Sequence, residues 1–153
     1  MSGTFAQIYI QLVFAVKSRE GLISSTWEDE LYKYITGIVQ NKQQKMLAIN
    51  GMPDHIHFVI GMRPSCCLSD LVREVKKASN EFVNQKKFTK GRFQWQDGYG
   101  AFSYGHSSLD TVIAYVNNQK THHQTKSFQE EYIAFLHKFE IEFKNEYLFE
   151  WID

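Results

Sequence analysis

Between Ile8 and Val16 an apolar side chain falls on every second residue, with Ile8, Ile10, Leu12, Phe14 and Val16 sharing one face. A period of two is the signature of a strand. The strand opens a sequence in which the apolar period switches repeatedly. Ser25-Thr26 precede a helical spacing, Leu31, Ile35, Ile38 and Val39, that ends near Asn41. Met46–Asn50 and His55–Met62 read as two strands, joined by the turn chemistry of Gly51-Met52-Pro53-Asp54. Ser69 is placed to cap a helix carrying Leu71, Val72, Val75, Ala78 and Phe82, and another strand is expected around Ala101–Tyr104. A third helix is expected from Ser107 or Ser108 to about His123, with Asp110 in its first turn. Ser127-Phe128-Gln129-Glu130 matches a capping box and opens a fourth, to about Phe139. Strand, helix, two strands, helix, strand is the order of an α+β, ferredoxin-like antiparallel sheet with helices packed on one face.

The chain has 153 residues, 43% of them hydrophobic and only two of them proline. That suffices for one core and leaves no Pro-rich linker to divide it. Its two cysteines, Cys66 and Cys67, are adjacent, too poorly placed to pair and without the spacing of a zinc or redox motif. A reducing compartment fits. The N-terminus does not read as a signal peptide, and no apolar run approaches the roughly 20 residues that cross a bilayer. A cytoplasmic protein with no membrane partner is expected.

Formal net charge is zero, but the charges are segregated. Seven basic residues against two acids lie between Arg73 and Arg92, and seven acids against Lys138 and Lys144 between Ser127 and Asp153. A local basic stripe suits phosphate contacts, and equally a solvated helix face. Arg73, Lys76 and Lys77 are its candidate DNA contacts. Trp95, Tyr99, Phe102 and Tyr104 could stack on unpaired bases, with core packing expected for at least half of them.

His55-Ile56-His57 sets two imidazoles on one face of a strand, the beginning of a transition-metal site. Alone, such a triplet is more often an incidental pair. On the third helix Leu109, Val112, Ile113 and Val116 form an apolar face, and Tyr115, Gln119 and His122 form a stripe beside it. A boundary tyrosine with a solvated glutamine would give the same spacing. His122 and His123 could assist proton transfer or hold the helix, but surface histidines after a helix are common and that is the expected reading; His106 and His137 read as solvated.

Taken together, Pro53-Asp54-His55-Ile56-His57-Phe58 and Tyr115-Val116-Asn117-Asn118-Gln119-Lys120-Thr121-His122-His123 resemble the small HUH single-tyrosine transposases of hairpin-ended insertion sequences. The repetitive-element-associated tyrosine transposases are related. The opening strand and Trp95-Gln96-Asp97-Gly98-Tyr99 extend the resemblance over about Phe5 to His123. It implies that His55, His57 and Gln119 bind a divalent metal, Mg2+ or Mn2+. It also implies that Tyr115 attacks single-stranded DNA beside a hairpin, giving a 5′-phosphotyrosine and a free 3′-hydroxyl without a nucleotide cofactor. A homodimer follows, because a single tyrosine per chain cannot exchange two strand ends. Residues 1–126 then form the transposase domain and residues 127–153 a helical, acidic extension with no role in that pattern. A domesticated relative processing palindromes, a phosphodiesterase using water and a non-catalytic hairpin-binding regulator are the alternatives.

Overall fold

Residues 3–152 are described by a computed structural model; the first two residues and Asp153, the last acid of the tail, lie outside it. Four strands, β1 (Tyr9–Ala15), β2 (Lys45–Met52), β3 (His55–Gly61) and β4 (Gly100–Tyr104), form one sheet in the order β2-β3-β1-β4, every neighbouring pair antiparallel. Helices α1 (Glu28–Asn41) and α2 (Leu68–Lys86) make the two crossovers. This is the expected ferredoxin-like α+β arrangement.

Alternation along β1 and β3 decides what each face holds. Leu12, Phe14 and Val16 of the first strand and its extension, with Ile56, Phe58 and Ile60, meet Leu31, Ile35 and Val39 of α1 and Leu71, Val72 and Val75 of α2. One-face packing holds for these two helices. The other face is covered as well, by α3 (His106–Asn117), α4 (Gln119–His122) and α5 (Phe128–Lys138). Val13, Ala15 and Phe102 pack under Phe128, Tyr132 and Leu136 of α5. Ala48 and Val59 pack under Val112 and Val116 of α3. The half-buried strand expected at β1 is therefore buried on both sides from Leu12 to Ala15, which accounts for its unbroken Leu-Val-Phe-Ala run.

Helix starts differ from expectation by a residue or two. Trp27 occupies the cap of α1 and Cys67 that of α2, neither with a side-chain cap bond, so Ser25-Thr26 and Ser69 do not cap. Acids Glu28, Asp29 and Glu30 in the first turn of α1 complement the positive end of its dipole instead. The third helix begins at His106, which removes Asp110 from its first turn, and it breaks at Asn118 into α3 and α4. At Ser127 the capping box is present, the hydroxyl accepting from the Glu130 amide.

The β2–β3 hairpin turns through Pro53-Asp54, with Met52 registered on His55 and Gly51 on Ile56. A Cβ at Gly51 would sit 2.3 Å from the His55 carbonyl oxygen and 2.9 Å from Ile56 Cα, so only glycine fits beside the backbone that carries His55. Gly51→Ala is expected to cost about 1–3 kcal/mol, read as a fall of roughly 2–10 °C in the thermal midpoint.

Candidate active site

His55 and His57 project from β3 onto the face beneath α3–α5, and both are fully buried. β1 is their neighbour, with Ala15 opposite His55 and Val13 opposite His57. Buried imidazoles need partners on both nitrogens. His55 Nδ1 lies 2.7 Å from Asp54 Oδ1 and His57 Nδ1 lies 2.7 Å from Gln11 Oε1. Gln11 is turned that way because its amide nitrogen donates to the Tyr104 hydroxyl at 2.8 Å.

The two Nε2 atoms face a common point, and α4 and α5 deliver the other groups there. Gln119 Oε1 is 3.2 Å from His55 Nε2. Glu131 Oε1 is 2.8 Å from His57 Nε2 and 3.4 Å from His55 Nε2. His123 Nε2 lies 3.1 Å from Gln119 Oε1 and 3.2 Å from Glu131 Oε1, while its Nδ1 faces the Lys126 carbonyl at 2.7 Å. The second carboxylate oxygen, Glu131 Oε2, accepts from Gln119 Nε2 at 3.0 Å and from the Tyr115 hydroxyl. His122 stacks on the Tyr115 ring, centroids 4.4 Å apart.

Each imidazole therefore has an acceptor at both nitrogens, yet a neutral imidazole carries one N–H. With Nδ1–H committed outward to Asp54, Gln11 and the Lys126 carbonyl, three Nε2 lone pairs and two oxygens are left facing one another. Positive charge at that point resolves the conflict. Burial opposes a proton on His57 and, despite Glu131 beside it, leaves that imidazole below its ordinary range. At His55 burial acts the same way, but the Asp54 and Glu131 hydrogen bonds outweigh it and raise the group. Burial would raise the Glu131 carboxyl, yet His57, His123 and His55 together hold it well below the usual carboxylate range. Burial, then the Glu131 charge and hydrogen bond, push the Tyr115 phenol well above its usual value. Two imidazoles, an amide oxygen and a carboxylate are a ligand set a divalent cation accepts. The histidine, glutamine and carboxylate atoms fit a metal, and the outward Nδ1 bonds are the supports that metal-ligating histidines need.

Of the expected site residues, His55, His57, Tyr115 and Gln119 come together. Arg73, Lys76 and Lys77 lie on α2, across the sheet. Arg73 is exposed and paired with Asp70 at 2.9 Å. Lys77 is also exposed. Lys76 is half-buried, its ammonium bonding the Gln96 carbonyl at 2.9 Å and lying 5.2 Å from the Phe14 ring centre. Trp95 and Phe102 are core residues; the Trp95 indole donates to Ser79 Oγ at 2.8 Å. His106 and His137 are exposed, as expected. Two site residues were missed. His123, read as a surface residue, follows Gln119 by one helical turn. Glu131 sits within the stripe Phe128, Tyr132, Phe135 and Leu136; a carboxylate on a helix's apolar face is a buried charge in search of a partner.

Sequence comparison decides the family. Residues 4–119, about three quarters of the chain, match the model described as Transposase IS200 like. The chain belongs to that family of DNA-cleaving and rejoining transposases. It is 21% identical over 122 residues to the ISDra2 transposase TnpA of Deinococcus radiodurans, covering 76% of this chain and 87% of that one. A crystal structure of a candidate transposase from Deinococcus radiodurans R1 shares the fold, with a TM-score of 0.63, 22% identity and coverage of 78% of this chain and 95% of that one. So does a REP-associated tyrosine transposase bound to a REP hairpin, with a TM-score of 0.60, 15% identity and coverage of 80% and 74%. In this transposase, the matched region supplies His55, His57, Tyr115 and Gln119, while His123 and Glu131 lie beyond it.

Removing an outward support should be felt by the metal. Gln11→Ala is expected to weaken Mn2+ binding by about 10–100-fold, measured by calorimetric titration of the chelator-stripped protein.

Proposed function

We propose that this transposase cuts and rejoins single-stranded DNA at hairpin-flanked ends, with Tyr115 as nucleophile and His55, His57 and Gln119 as holders of Mg2+ or Mn2+. The observation that carries the reading is the convergence of bare imidazole nitrogens and the Gln119 oxygen next to the Tyr115 hydroxyl. When bound, the cation supplies positive charge to the scissile phosphate, which otherwise repels a nucleophile. The Tyr115 oxygen forms the new bond to phosphorus as the bond to the 3′-oxygen breaks. The phenolic proton leaves to water, and the departing 3′-oxygen takes one up. Phosphate energy is retained in the 5′-phosphotyrosine, so rejoining needs no nucleotide cofactor.

The hairpin in the REP-associated neighbour supports a hairpin-bearing strand as the partner here. Arg73 and Lys77, exposed on α2, are then contacts to backbone phosphates away from the cleavage point. Lys76 is committed to the Gln96 carbonyl. One tyrosine per chain must be matched by a second to exchange two strand ends, so the working form is a homodimer. Among the described residues no helix is long and apolar enough to cross a membrane, and a cytoplasmic site of action fits an enzyme whose substrate is the chromosome.

Incubated with labelled single-stranded hairpin DNA from its own genomic flanks and Mn2+, the protein is expected to give a covalent complex that survives a denaturing gel. Tyr115→Phe and excess chelator should each reduce it to background. Cut strands without protein attached would point to water as the nucleophile and sink the assignment.

A further inference from the structure

Glu131 belongs to no part of the family pattern: it lies on α5, twelve residues beyond the matched region. Its carboxylate is nonetheless at the centre of the site, 3% exposed. The two oxygens are used differently. Oε1 faces the nitrogens of His57, His55 and His123 at 2.8, 3.4 and 3.2 Å. Oε2 takes the Tyr115 hydroxyl and the Gln119 amide hydrogen. Ligand atoms of His55, His57 and Glu131 all lie within 4.8 Å of one another, the spread of a single coordination sphere.

We propose that Glu131 is a working part of the catalytic centre, one oxygen joining the histidines as a metal ligand and the other holding the Tyr115 hydroxyl toward it. The inference rests on the tyrosine-transposase reading above. Two features of α5 support it beyond proximity. Glu131 is carried on the buried face with Phe128 and Tyr132, so the helix cannot dock without inserting the carboxylate. The start of α5 is fixed by the Ser127–Glu130 capping box, which sets the position of the next residue. A carboxylate also improves the site for its proposed occupant. Two imidazoles and an amide carry no charge, and hard divalent cations prefer anionic oxygen. Tyr115 gains a fixed acceptor, which orients its oxygen while leaving the ring half-buried.

Full-length wild type, Glu131→Gln and Glu131→Ala are titrated with Mn2+ by calorimetry, with His57→Ala as reference and melting curves in chelator as the check on folding. Adduct formation is then followed at saturating Mn2+. Glu131→Gln keeps the shape but neither the charge nor the second acceptor oxygen, so it is expected to bind Mn2+ at least tenfold more weakly. Glu131→Ala should in addition form the adduct at least tenfold more slowly at saturating metal, with DNA affinity within twofold of wild type. Mn2+ affinity in Glu131→Gln less than tenfold weaker than wild type overturns the ligand role. An adduct rate in Glu131→Ala less than tenfold slower at saturation overturns the positioning role. Should Glu131→Ala fail to fold, Glu131→Asp, which retracts the carboxylate by one methylene, takes its place under the same limit. A wild type that binds no Mn2+ and forms no adduct would remove the transposase reading itself, a different failure from either of these.

Discussion

Three histidine nitrogens and two side-chain oxygens meet inside a layer that is otherwise apolar, and that meeting governs the rest of the structure. Val13, Ala15 and Phe102 with the α5 residues close one side of it, and Val59, Val112 and Val116 the other. In such surroundings a lone carboxylate costs several kcal/mol and is tolerated only if paired. Each charge-assisted hydrogen bond returns roughly 1.5–3 kcal/mol, so Glu131 needs several partners at once. The fold provides them from widely separated parts of the chain, and the outward bonds of Asp54 and Gln11 keep the imidazoles from turning away.

How much of this could be read from residues alone follows from the range of the interactions. The spacing of His55 and His57 on one strand, and of Tyr115 and Gln119 four apart, is local geometry, and both pairs point as expected. Strand order follows from the hairpin and two crossovers and was equally legible. The second helical layer was not. An apolar run such as Leu12–Ala15 signals burial on both faces, but nothing local says what covers the second one. Glu131 became a site residue only once α5 lay across β3, a contact 74 residues apart in sequence. Its one local mark was a carboxylate between Phe128 and Tyr132. Lys76 failed in the opposite direction: a basic residue in a basic stretch looked free, while the loop after α2 returns to receive its ammonium.

Helix ends show the same competition at smaller scale. A serine before an apolar helix is a good cap signal, and Ser127 obeys it because the reciprocal Glu130 is present. Ser69 lacks that partner and is taken into α2, whose first turn is set by the chain leaving β3. At Asn118, with φ −98° and ψ 18°, the backbone leaves the α region for the bridge region and the third helix is interrupted. Across that break Tyr115 and Gln119 nonetheless both reach Glu131 Oε2.

The segment on either side of that break packs closely around Tyr115. The turn after Tyr115 carries Gln119, and the next returns His122 to stack on the tyrosine ring and His123 to face the Gln119 oxygen. Tyr115 is thus held by its ring from one side and by its hydroxyl from α5 on the other. β2 anchors this segment from beneath: Asn50 donates to the Asn117 carbonyl at 3.0 Å, and Lys120 bonds the Gly51 carbonyl and pairs with Glu28 at 3.0 Å. The hairpin that presents His55 and His57 is therefore also the support of the segment that carries Tyr115 and Gln119. Displacing either moves both, so the distance between the imidazoles and the Tyr115 phenol is set by hairpin geometry rather than by the flexibility of a loop.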